Sequence, residues 1–74
     1  MKFLNENQLS YIKELYPVGT RVELVSMDDP QAPPIGTCGT VRGVDDAGSI
    51  LIKWDNGSSL SALYGIDVVT KRGE

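Results

Sequence analysis

Residues 37–57 read Thr37-Cys38-Gly39-Thr40-Val41-Arg42-Gly43-Val44, Asp45-Asp46-Ala47-Gly48, Ser49-Ile50-Leu51-Ile52-Lys53-Trp54 and Asp55-Asn56-Gly57. The run 49–54 is rich in β-branched and large apolar residues and predicts a strand. Ile50, Ile52 and Trp54 share one parity, so they face one interior. The run 37–44 predicts a second strand, in which Gly39 and Gly43 mark bends or close backbone approach. Asp45-Asp46-Ala47-Gly48 joins the two as a turn, with Gly48 at positive φ. Asn56-Gly57 predicts a type I′ hairpin into a strand over 58–62.

The pattern continues outward. Thr20-Arg21-Val22-Glu23-Leu24-Val25 alternates, with Val22 and Leu24 on one face. Residues 28–36 form a loop holding Pro30, Pro33 and Pro34. Leu63-Tyr64-Gly65 predicts a short turn and 67–70 a last strand. Before Pro17, residues 5–16 predict a helix capped by Asn5 with Gln8 reaching back, and with Leu4 and Leu9 spaced as a hydrophobic staple. Leu9, Ile12 and Tyr16 make its apolar stripe. Pro17 ends it. A helix this short needs a surface to dock on.

Five short strands joined by tight turns predict a mainly β fold in which the sheet closes into a small barrel, since a flat sheet leaves two exposed edges. Val22, Leu24, Val41, Ile50, Ile52, Trp54, Leu60 and Val68 are its expected interior. The helical segment 1–17 covers an open end or seam, 18–70 is the barrel, and 71–74 is a frayed tail.

Composition bounds the function. The 74 residues carry 7 Lys/Arg against 10 Asp/Glu, a net charge of −3, with 41% apolar residues. That is one small globular domain. The acidic balance disfavours binding to a phosphate backbone. One cysteine, Cys38, and no histidine remove internal disulfides and the common zinc sites. No apolar run spans a bilayer. The start turns polar too soon for a signal peptide, so a cytoplasmic location is expected. No enzyme, cofactor or metal is expected, because Asp45, Asp46 and Asp55 fit turn chemistry and no glycine-rich phosphate loop is present.

The residues 18–24 (Val-Gly-Thr-Arg-Val-Glu-Leu) and 35–44 (Ile-Gly-Thr-Cys-Gly-Thr-Val-Arg-Gly-Val) resemble the KOW-type pattern of SH3-like barrels, a G-x-x-V strand crossing to a G-x-x-G-x-V strand. The resemblance covers 18 to about 70 and implies a five-stranded SH3-like barrel with one N-terminal helix. Tyr16 through Pro34, Gly36-Thr37, Trp54-Asp55-Asn56-Gly57-Ser58 and Tyr64-Gly65 with Asp67 also resemble a domain-of-unknown-function family of short proteins from Firmicutes, their phages and mobile elements. That resemblance implies a bacterial or phage intracellular accessory protein and no particular activity. Cys38 departs from it, standing where a polar or basic residue is ordinary.

Three surfaces compete as the functional one. The acidic, proline-rich loop 27–35 is stiffened by its prolines. Asp28, Asp29, Pro30, Pro33 and Pro34, together with Tyr64, are the candidate site for a protein partner; turn capping by the two aspartates is the plainer alternative. Arg21, Arg42 and Lys53 on outward strand positions are the candidate nucleic-acid stripe, against a solvated face paired with nearby carboxylates. Val25, Leu51 and Leu63 form the candidate oligomer patch. The helix stripe is its expected same-chain cover, which leaves the choice between monomer and homodimer open. Trp54, Tyr64 and Tyr16 could make an aromatic cage, but the parity of Trp54 assigns it to the core.

Overall fold

A computed structural model of the chain describes residues 5–72. It contains one helix, α1 (Glu6–Leu15), and five strands: β1 (Arg21–Ser26), β2 (Cys38–Val44), β3 (Ser49–Trp54), β4 (Ala62–Leu63) and β5 (Val68–Lys71). The strands form one antiparallel sheet in the order β4-β3-β2-β1-β5. No helix among the described residues is long and apolar enough to cross a membrane.

The capping box forms as expected. The Gln8 amide donates to Asn5 Oδ1 at 2.8 Å, and the Asn5 amide donates to Gln8 Oε1 at 3.1 Å. Leu4, the other half of the expected staple, lies outside the described residues. Alternation in β1 and β3 places Val22, Leu24, Ile50, Ile52 and Trp54 in the core, joined by Val41, Ala62 and Ile12 of the helix. Trp54 is 1% exposed, and its indole Nε1–H donates to the Leu60 carbonyl at 2.8 Å. Gly39 marks a close approach: a Cβ there would lie 2.6 Å from Ile52 Cγ2 and 2.9 Å from Trp54 Cε3.

The sheet does not close, which corrects the expected barrel. The segment expected as a strand over 58–62 is mostly irregular, and only Ala62–Leu63 pairs with β3. The reason lies in its backbone groups. Leu60 gives its carbonyl to the Trp54 indole and its amide to Ser58 Oγ, leaving nothing for a ladder. Leu60 is accordingly half-buried rather than core. Val68 is also corrected, being 48% exposed. A β-bulge between Leu24 and Ser26 sets Val69 opposite Leu24, so Val69 takes the inward place.

The hairpin after β3 is not type I′. That type needs positive φ at both central residues, and Asn56 lacks it. The Gly57 amide donates to the Trp54 carbonyl, and Gly57 alone takes a left-handed φ of 96°. This is a three-residue loop, and Asp45–Gly48 repeats it with Gly48 at 84°. The tail also differs from expectation. Lys71 belongs to β5, and the Arg72 amide donates to the Arg21 carbonyl at 2.8 Å.

Candidate functional site

β1 ends at Ser26, which pairs with Val68 at the start of β5. The loop 27–35 therefore leaves the sheet beside the turn that carries Tyr64 and Ile66. The Gly36 amide donates to the Leu24 carbonyl at 2.9 Å and brings the end of the loop back to β1. The segments that meet at the end of β1 thus carry Val25, Ile35, Ile66 and Val68, exposed by 45%, 64%, 70% and 48%. Apolar side chains this open cost hydration, and adjoining ones mark contact surfaces.

The loop residues divide. Asp29 caps a turn, its Oδ1 accepting the Gln31 amide at 2.8 Å. Asp28 is exposed and its carboxylate has no partner among the described residues. Pro30 and Pro34 are exposed. Pro33 is buried, which corrects its place in the expected binding surface: it anchors the loop instead. Met27 packs on the core from the other end. The loop is held at both ends and presents Asp28 to Pro30 between them.

Tyr64 is 41% exposed and stands where two cavities meet. One, of about 400 Å³, runs along the start of α1 past Gln8, Tyr11 and Ile12. The other, of about 310 Å³, lies between the end of α1 and the turn that leads into β5, with Tyr16, Ile50, Val68 and Val69 on its walls. Burial, then the Tyr64 and Tyr11 hydroxyls, push the Tyr16 phenol above the ordinary tyrosine range. The Lys71 ammonium lies 5.6 Å from the centre of the Tyr16 ring. Trp54 takes no part, so the aromatic grouping is Tyr11, Tyr16 and Tyr64. Tyr11 sits off the apolar helix stripe, and its role is visible only once Tyr64 is placed beside the helix.

The basic stripe forms only in part. Register aligns Arg21, Thr40 and Lys53 across β1, β2 and β3. Arg21 is committed elsewhere: its guanidinium clasps Asp55 at 3.0 and 2.6 Å and donates to Thr40 Oγ1 at 2.9 Å. Hydrogen bonding from Arg21 holds the Asp55 carboxyl below its usual range, with the guanidinium charge adding to it. Arg42 sits at the bulge between Val41 and Gly43, exposed like Lys53. Glu23 and Arg72 pair across β1 and the end of β5.

The expected oligomer patch does not hold together. Val25 and Leu51 are exposed as parity demands, and Leu63 joins them at 36%. Glu23 pairs with Cys38 and Leu51 with Gly43, so Val25 and Leu51 lie at opposite ends of β2. About 20 Å of strand length separates them. The helix does not cover them, because Ile12 directs it into the core beside β2.

A family model described as "Domain of unknown function (DUF4314)" matches residues 5–72. No curated protein and no solved structure matches the chain.

Proposed function

We propose that this chain, which belongs to the DUF4314 family, is a non-enzymatic binding module that docks a basic protein partner. The observation that carries the reading is the exposure of Val25, Ile35, Ile66 and Val68 on the segments that flank the loop bearing the exposed Asp28 and Asp29. A stiff acidic loop next to exposed apolar side chains suits a partner segment that offers both cations and hydrocarbon. The ordering cost is low, since Met27 and Pro33 already hold the loop. The strand order, with four strands in sequence and the fifth returning beside the first, supports an SH3-like, KOW-type relation in a sheet left open. A cytoplasmic accessory role in a phage or mobile element fits the short acidic chain and the family resemblance.

Nucleic-acid binding ranks second, because Arg21 is engaged by Asp55 and leaves Arg42 and Lys53 to act on an acidic chain. The test is affinity capture from the native cell with the full chain, Asp28→Lys with Asp29→Lys, and Ile66→Ser. The expected result is a partner retained by the wild type, released by rising salt, and lost from both variants while their circular dichroism is unchanged. Undiminished capture by the charge-reversed variant overturns the reading.

A further inference from the structure

Tyr64 is the wall that the two cavities share, and the tyrosine rings around it are not equivalent. Tyr16 is half-buried, and its face already holds the Lys71 ammonium, 5.6 Å from the ring centre. Tyr11 and Tyr64 are 56% and 41% exposed and line one cavity of about 400 Å³. Their faces carry no cation among the described residues. An aromatic face attracts a cation through its quadrupole, and the attraction grows as water is excluded. The rest of that cavity is electrically neutral. Its other described residues are Ile12 and the amide-bearing Asn5, Asn7 and Gln8, so no charged group lines it. The capping box engages Asn5 Oδ1 and Gln8 Oε1, which leaves Asn7 and the phenols to supply the uncommitted acceptors.

We infer that this cavity receives an arginine side chain of the basic partner, its guanidinium stacked on Tyr64 and Tyr11. The inference rests on the loop-docking reading for the partner's charge and adds the side chain that the groove selects. Hydration decides between the two cations. An ammonium is strongly hydrated, and the cavity has no carboxylate to replace the water it would lose. A guanidinium is planar and weakly hydrated, stacks on a ring, and spreads five N–H donors over neutral acceptors. Position agrees with this. The second cavity continues the groove from Tyr64 past Asp67 to Val68. Val68 pairs with Ser26, where β1 gives way to the loop bearing Asp28 and Asp29. A basic segment laid along this line meets carboxylates at one end and open ring faces at the other.

The test is calorimetric titration of the full chain with two N-acetylated, C-amidated probes, hexa-arginine and hexa-lysine, at equal salt. Charge alone treats the two alike, so the ratio of their dissociation constants reads the stacking. The expected ratio is roughly fivefold in favour of arginine. The Tyr11 and Tyr64 ring proton resonances are expected to shift together as the arginine probe is added. Tyr64→Phe keeps the ring and is expected to keep the ratio. Tyr64→Ala and, separately, Tyr11→Ala are expected to bring the ratio toward one, each with unchanged circular dichroism. Tyr11 is the more exposed of the two, so its variant reads the ratio in a folded chain even where Tyr64→Ala loosens the turn. Asp28→Lys with Asp29→Lys is expected to weaken both probes and leave their ratio. No binding, or equal affinity for the two probes in the wild type, overturns the inference. So does an arginine preference that survives both alanine variants. Loop reversal without effect on either probe overturns the loop-docking reading and leaves the arginine preference standing, which keeps the two failures apart.

Discussion

Gly39 is where one residue type is obligatory. Its backbone runs so close to β3 that a methyl group would meet Ile52, Trp54 and the Lys53 carbonyl within 3.0 Å. The two side chains are themselves fully buried, and the carbonyl is backbone, so none can withdraw freely. Gly39→Ala is expected to destabilise the fold by about 1–3 kcal/mol through overpacking. Urea unfolding followed by Trp54 fluorescence measures it, and an unchanged midpoint would show that the strands can part. This constraint was legible as a close approach in the sequence, but its contacts were not. Pro33 shows the reverse. Its residue type suggested surface, and its burial depends on how the loop folds back onto β1.

At the scale of elements, the helix shows local signals and tertiary contacts acting together. Asn5 and Gln8 satisfy two otherwise free amides, and Glu6 in the first turn complements the helix dipole. The ten residues would still be marginal alone; Ile12, 2% exposed in the core, is what holds them. Asn5→Ala is expected to cost about 1 kcal/mol. Because the cap and the core anchor belong to one helix, that loss should appear in the global midpoint by circular dichroism. Helical signal fading well before the sheet unfolds would contradict this. The fourth strand is the element that the sequence misplaced. Ser58 to Ala62 has an acceptable strand pattern, yet side-chain bonds from Trp54 and Ser58 claim the backbone of Leu60. Such competition is invisible to alternation, because the claimant is the Trp54 side chain six residues away.

For the molecule as a whole, stability should narrow at both ends of the pH scale. Asp55 ties the turn after β3 to β1 through Arg21, and its folded pKa is lowered. Its contribution is present above the unfolded carboxyl value and lost as pH falls through the lower folded value. The folded pKa of Tyr16 is raised, so the unfolded chain ionises first. Stability is then complete below the unfolded phenol value and declines as pH rises from there through the folded one. Thermal midpoints across pH check both limbs. Asp55→Asn should flatten the acid limb, and Tyr16→Phe the alkaline limb. A variant that leaves its limb unchanged would sever that residue from the effect.

What the sequence alone determined was everything written in short-range chemistry: a capped helix ended by a proline, alternating strands, glycine-bearing turns, and a core built on Val22, Leu24, Ile50, Ile52 and Trp54. These follow from steric and hydrophobic preferences acting within a few residues. Tertiary structure alone decided that the sheet stays open, that Val69 rather than Val68 faces inward, that Arg21 belongs to Asp55, and that Asp67 seals the backbone of Leu63 at the β4 edge. Each of those depends on which distant group reaches a backbone or charged atom first, and a linear pattern carries no distances.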